Sequence, residues 1–234
     1  GTLFTKAEGR NEMDSIWINA PAKINIGLDV IRRREDGYHE VKMIMQSIRL
    51  FDRLTLTKTK EPGIKLTTNL SYLPVNEDNL VYQSAKRLMD EFHLEGGLDI
   101  KLDKRIPVAA GMAGGSTDAA SCMLAINDLY GLGLSKRHLM KRGVKLGADI
   151  PYCILKGTAL SEGIGEKLST IPAMPSCYIL IAKPNIHVST KWVYTNLVLD
   201  EHTNHPDIDG MLASMKKRDL LSLSNQIGNI LESV

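Results

Sequence analysis

The sequence predicts an α+β fold, and three observations carry that reading. Ala22, Ile24, Ile26, Leu28 and Val30 alternate with Lys23, Asn25, Gly27 and Asp29, the period of a half-buried strand. Val81, Ala85, Leu88, Met89 and Phe92, and again Ala120, Met123, Leu124 and Leu129, recur at the spacing of a helix face. Strand, strand, helix, strand, loop, helix, helix is the order of segments, which mixes hairpins with helices and lacks the regular alternation of a doubly wound sheet.

In chain order, Gly1 to Glu12 is polar and aperiodic and precedes Met13, so residues 1–14 are expected to form a tail outside the fold. It has no apolar core of the kind a secretory signal needs. In the strand that follows, period-two geometry sets Lys23 and Asn25 on one face, about 6–7 Å apart, where both can reach one ligand; a lone strand lysine is otherwise a solvated one. Arg32 to Gly37 reads as a turn with Asp36-Gly37 as its hairpin signal, and Arg32 and Arg33 as solvated charges. A second strand region spans Val41 to Thr57. Asn76 or Asp78 can cap the first helix, and Leu98, Ile100 and Leu102 make a strand that runs into a glycine loop. Beyond that loop's helix, Gly131 and Gly133 break the chain, Ser135 can cap a helix to about Leu146, and Gly147 ends it. Asp149 then lies between Gly147 and Pro151, where it either caps a helix or projects a carboxylate from a fixed backbone. Gly157–Glu162 and Tyr178–Ala182 read as strands. From Thr190 the chain reads as mainly helical, with Met211, Leu212, Met215, Leu220, Leu221, Leu223 and Ile227 as apolar positions.

The run Pro107-Val-Ala-Ala-Gly-Met-Ala-Gly-Gly-Ser-Thr-Asp-Ala-Ala120 joins a glycine-rich loop directly to a helix start. Gly111, Gly114 and Gly115 let the backbone come close to an anion, and free N–H groups at a helix start favour negative charge by roughly 0.3–1 kcal/mol. Ser116 and Thr117 offer hydroxyls for capping or for magnesium. Ser116 stands where a P-loop requires lysine, and the glycine spacing is not that of the dinucleotide fingerprint. Glycines alone would equally suit a mobile loop.

With 234 residues, 43% apolar and 24% charged, the chain can build one large domain or two small ones without staples. No apolar run approaches the roughly 20 residues of a membrane span, and a net charge of +2 gives no field that argues for nucleic acid. Cys122, Cys153 and Cys177 are expected to be buried free thiols in a reducing compartment. The six histidines, His187 among them, show no zinc spacing.

Pro21-Ala22-Lys23-Ile24-Asn25, the loop string, and Leu146-Gly147-Ala148-Asp149-Ile150-Pro151 together resemble the galactokinase, homoserine kinase, mevalonate kinase and phosphomevalonate kinase (GHMP) superfamily. Arg34-Glu35-Asp36-Gly37-Tyr38-His39 and Glu77-Asp78-Asn79-Leu80 narrow the resemblance to the branch that phosphorylates 4-diphosphocytidyl-2-C-methyl-D-erythritol, from about Ser15 onward. The resemblance implies transfer of the γ-phosphate of ATP, carrying Mg2+, to the tertiary 2-hydroxyl of that small molecule in the non-mevalonate route to isoprenoid precursors. It implies a cytoplasmic protein of bacterial or plastid type, with neither nucleic acid nor membrane as partner. It also implies an N-terminal domain over 15–160 with a left-handed βαβ crossover, a C-terminal domain over 161–234, and an active site in the cleft between them. Family members continue into a third glycine-rich string that flanks the phosphate loop. This chain stops first, so the second domain is expected to be incomplete, with an apolar face exposed and part of the active-site wall removed.

On the same resemblance Asp149 is the general base and Lys23 its cationic partner, while Asn25 orients the polyol. Tyr38 stacks on the cytosine, the His39 backbone reads the base edge, and Tyr194 forms the opposite wall. Asn79, Lys104, Pro107, Ala109, Ala110, Gly111, Met112, Ala113, Gly114, Gly115, Ser116 and Thr117 hold ATP. Asn79 as an ordinary cap, Lys104 as a surface charge and Tyr194 as helix packing are the alternatives the residues leave open.

Overall fold

The computed structural model describes residues 3–5, 14–184, 186 and 188–234, so His187 and most of the expected tail lie outside the described residues. The chain divides into two compact units. One takes the chain up to Ala22 with Ile48–Val108 and Met112–Leu155; the other takes Lys23–Ser47, Ala109–Gly111 and Lys156–Val234.

The first unit is a sheet with helices packed on it. Strand β1 (Leu3–Thr5), within the segment expected to lie outside the fold, pairs antiparallel with the start of β2 (Ser15–Arg33). Here Ile16, Ile18, Ala20 and Ala22 are buried at every second position, as one covered face requires. The Ser15 hydroxyl donates to the Leu56 carbonyl of β3 (His39–Thr59), which pairs antiparallel with β5 (Gly97–Asp103) over Arg53–Thr59. Helix α1 (Leu80–Glu91) connects β4 (Gly63–Thr68) to β5, and the two strands are parallel neighbours, so a crossover joins them. Leu54, Leu56, Leu98, Ile100 and Leu102 of the sheet are buried, as are Val81, Ala85 and Leu88 of α1 and Ala119, Met123 and Ile126 of α2 (Gly114–Leu129), and the two helices pack on each other. The α1 cap is Asn79, not Asn76 or Asp78: Asn79 Oδ1 accepts from Val81 N at 2.9 Å, while Asn76 Oδ1 is taken by Asp78 N in a preceding turn. Ser135 caps α3 (Lys136–Gly143) as expected, but the helix stops short of Leu146. A Cβ on Gly143 would lie 2.5 Å from Ile150 of α4 (Ile150–Leu155), so the two helices meet at a residue with no side chain.

The second unit begins where β2 stops alternating. Ile26, Gly27, Leu28, Asp29 and Val30 are all buried, which corrects the expected half-buried strand: both of its faces are covered. The Arg34–Tyr38 hairpin turn forms, with Gly37 at φ 85°, and returns the chain into β3, whose Val41–Gln46 pairs with β6 (Thr158–Gly163). β6 in turn pairs with β7 (Lys167–Thr170). Tyr178–Ala182 is not a strand, and Tyr178 and Leu180 are exposed. Alternation is a local property, whereas a strand needs a ladder partner, and these residues have none among the described residues. Cys177 is exposed as well, so only Cys122 and Cys153 are the buried thiols expected of all three. Helices α5 (Thr190–Asn196), α6 (Ile208–Lys217) and α7 (Leu220–Gln226) follow, then β8 (Gly228–Asn229), parallel to Gly27 and Leu28 of β2. Met211 and Met215 pack with Ile26, Ile44, Ile208 and Leu223 into one apolar cluster. Gly27 carries no Cβ because Met211 Sδ would stand 2.5 Å from it.

Candidate functional site

The glycine loop enters α2 without a conventional cap. Ala113 stands at the cap position with φ 56° and no side chain to donate or accept, and Ala109 and Gly111 are likewise left-handed at φ 55° and 68°. A left-handed alanine costs roughly 1–2 kcal/mol, so the loop is held in a shape it would not adopt alone. The first helical bond runs from Thr117 N to Ala113 O at 2.8 Å, which leaves the N–H groups of Gly114, Gly115 and Ser116 at the positive end of the helix with no capping side chain. Ser116 and Thr117 therefore sit inside the first turn and cap nothing. Ser116 is half-buried, whereas Thr117 is fully buried and its Oγ1 has no partner among the described residues. Pro107 is exposed, Ala110 half-buried, and Met112 buried, anchoring the far side of the loop.

Lys104 is neither a surface charge nor open at the loop mouth. It is buried, and its ammonium donates to Asp52 and, at 2.7 Å, to Asp118 Oδ2. Its backbone is pinned too: Lys104 N donates to Asn69 Oδ1 at 2.8 Å and Lys104 O accepts from Asn69 Nδ2 at 3.0 Å. Asp52 Oδ1 also accepts the backbone N–H groups of Arg105 and Ile106. Burial works against the charge on Lys104, but Asp118 and Asp52 together lift its pKa above the ordinary lysine value. Burial likewise pushes the Asp118 carboxyl well above the carboxylate range, with repulsion from Asp52 adding to it and Lys104 opposing it. Sequence reading missed both acids. Asp52 was findable, since it shares the parity of Leu54 and Leu56 and so faces the core with them.

Lys23 is 7% exposed, and its Nζ donates to Asn25 Oδ1 at 3.4 Å, so the pair predicted to share a strand face does so. Asp149 is half-buried in the turn before α4, its carbonyl accepting from Cys153 N at 3.0 Å. Its carboxylate has no hydrogen-bond or ion-pair partner among the described residues, so the main chain, not the side chain, closes that helix. Asn79 spends its amide on the α1 cap and on the Pro74 carbonyl at 2.8 Å.

Tyr38, His39 and Tyr194 line one cavity of about 870 Å³, together with Arg33, Asp200 and His205. The ring facing Tyr194 is that of His39, with centroids 5.3 Å apart, while Tyr38 is 60% exposed. Tyr194 rests on the apolar cluster of Leu28, Val30, Val41 and Ile230, which fixes the wall it forms. Burial, then the nearby Arg33, lowers the His39 pKa and favours the neutral ring. His205, unremarked in the sequence, donates or accepts at 2.7 Å with the buried Asp29 carboxylate.

Among the described residues no group of three His, Cys, Asp or Glu could hold a metal ion, and no helix is long and apolar enough to cross a membrane.

The sequence pattern described as GHMP kinases N terminal domain matches residues 79–157. Over 222 residues the chain is 55% identical to a 4-diphosphocytidyl-2-C-methyl-D-erythritol kinase of Lachnoclostridium phytofermentans, covering 95% of this chain and 76% of that protein. It is 52% identical to the protein of the same name from Lachnospira eligens, covering 95% and 77%. A crystal structure of 4-(cytidine 5'-diphospho)-2C-methyl-D-erythritol kinase superposes with a TM-score of 0.75 at 30% identity, covering 93% of this chain and 76% of the other. A homoserine kinase from Cytophaga hutchinsonii, at 19% identity and a TM-score of 0.68 over 97% and 74%, shares the fold.

Proposed function

Since the chain belongs to the 4-diphosphocytidyl-2-C-methyl-D-erythritol kinase family of GHMP kinases, we propose that it moves the γ-phosphoryl group of ATP onto the tertiary 2-hydroxyl of that diphosphocytidyl alcohol. The observation that carries the reading is the uncapped start of α2, where Gly114, Gly115 and Ser116 present backbone N–H groups behind a left-handed loop. Such donors cradle a polyphosphate and neutralise its charge without side chains. Phosphoryl transfer asks little covalent chemistry of a protein, so holding the phosphates and the acceptor in line supplies most of the rate.

The cavity around His39 and Tyr194 suits a planar base against aromatic rings, a contact worth about 1–3 kcal/mol per base. Its size and its polar edge residues support cytidine as the handle by which the acceptor is held. Lys23 supplies a buried ammonium for the negative charge on the transferring group, Asn25 orients hydroxyls, and Asp149 takes the acceptor proton. Use of ATP is consistent with a cytoplasmic enzyme.

Magnesium fits as a passenger on ATP. A hard cation takes oxygen ligands and is commonly bound through substrate phosphates with one or two protein groups; of the two first-turn hydroxyls, the half-buried Ser116 is the one open to it. When bound it shields the phosphate oxygens and polarises the transferred group.

Steady-state assay of ADP release tests this. ADP formation should require the diphosphocytidyl alcohol and should be absent with homoserine or mevalonate; ATP binding without turnover would sink the reading. Gly114→Val should weaken ATP by about tenfold or more, since each 1.4 kcal/mol is tenfold. A Cβ there stands 3.1 Å from Lys104 Nζ and 3.4 Å from Ile106, so branching displaces the first turn of α2. Calorimetric titration with a non-hydrolysable ATP analogue reads the loss.

A further inference from the structure

The ends of the phosphate loop are joined beneath it by one buried ion cluster. On the lead-in side, Asp52 holds the backbone N–H groups of Arg105 and Ile106, immediately before Pro107. On the far side, Asp118 belongs to α2, whose first residue is Gly114. Lys104 bridges the two carboxylates, and its Nζ lies so close beneath α2 that it is the nearest atom to the missing Cβ of Gly114, at 3.1 Å. Asp52, Lys104 and Asp118 are 0%, 7% and 2% exposed, so water neither screens nor replaces these bonds. The ammonium alone would oppose the positive end of α2; the Asp52 carboxylate and the Asp118 carboxyl that accept from it offset that conflict.

We propose that Asp52, Lys104 and Asp118 are positioning residues for ATP, a brace that fixes the span of the loop and so the aim of the Gly114, Gly115 and Ser116 N–H groups, without touching the nucleotide. The inference rests on the reading of this loop as the ATP site. It assigns Lys104 a role beneath the loop instead of in the adenine pocket, and it adds two acids: Asp118, which lies in the loop string without a role of its own, and Asp52, which no motif marks. Ordering the loop in advance is what an ATP site built from backbone donors requires, because two left-handed alanines would otherwise relax.

Asp118→Ala and Asp118→Asn separate this from a general stability role. In the alanine variant the KM for ATP, and the Kd of its β,γ-imido analogue, should rise about tenfold, with kcat and the acceptor KM within about twofold. Asparagine should restore most of the ATP affinity, since its amide oxygen still accepts from Lys104. An alanine variant with unchanged ATP affinity, or with acceptor and ATP affinity falling together, overturns the brace. Should that variant not fold, Asn69→Ala removes, from an exposed side chain, the two bonds to the Lys104 backbone and a long 3.5 Å bond from the Thr68 hydroxyl. Its ATP KM should rise about threefold, the worth of a modest hydrogen-bond loss, and no change would overturn the brace equally. If the unaltered chain itself binds no analogue, the ATP reading of the loop falls first and takes the brace with it. That result is distinct from a variant that matches a binding-competent parent.

Discussion

Asp149→Asn should lower kcat about a thousandfold, the middle of the range for a lost general base, while the Kd of an ATP analogue stays within about twofold. A tertiary alcohol must shed its proton as the new bond to phosphorus forms, and a neutral amide cannot take it. The substitution isolates that function because asparagine keeps everything else Asp149 does. Its size is the same, the backbone carbonyl still accepts from Cys153, and asparagine is as good a residue as aspartate at a helix start. If closing α4 were the purpose of Asp149, the variant would turn over normally and melt normally. On the proposed reading ATP is held by main-chain donors of α2, so its contacts should be unaltered. Single-turnover quench experiments read the chemical step directly; a kcat within tenfold of the parent would remove Asp149 from the mechanism.

The parts of this molecule that are local in sequence were legible in it. The Asp36-Gly37 turn, the α1 face and the Ser135 cap each depend on residues a few positions apart, and all formed; α2 formed as a helix too, but it is buried on nearly every side and not on one face. What depended on partners far along the chain was not. Tyr178–Ala182 alternates like a strand but found no ladder among the described residues, and the cap expected at Asn76 or Asp78 is made by Asn79, because Asn76 Oδ1 is taken by Asp78 N in the preceding turn. The covered second face of β2 at Gly27 and Asp29 needed α6 and His205, nearly two hundred residues later. Of the candidate site, the strings carrying the proposed phosphate loop, Lys23, Asn25 and the Tyr38-His39 pair stood out as motifs, and the structure brings Lys23 to Asn25 and His39 to Tyr194. The brace was not, because it joins positions 52, 104 and 118, and only the inward parity of Asp52 hinted that a charge was buried there.

Asp52→Ala should be the most destabilising single change in the first unit, by about 3–5 kcal/mol, the usual cost of breaking a buried pair by removing one partner. The carboxylate accepts from Lys104 and from two backbone N–H groups, and nothing in a methyl group replaces it; the N–H groups and half of the ammonium's coordination are left without acceptors away from water. Urea unfolding followed by circular dichroism measures it, and a loss under about 1 kcal/mol would show that the cluster is ordinary surface-grade pairing. The same cluster sets the pH dependence. Burial raises the folded pKa of Asp118 well above that of an ordinary carboxyl, so above the ordinary value the folded chain holds a proton the unfolded chain has released. Its contribution is therefore complete in acid and is lost as pH rises through the folded pKa. Asp118→Asn, which cannot release that proton, should flatten this part of the stability profile while leaving the rest of the curve parallel. A profile that keeps this slope in the asparagine variant would place the titrating group elsewhere.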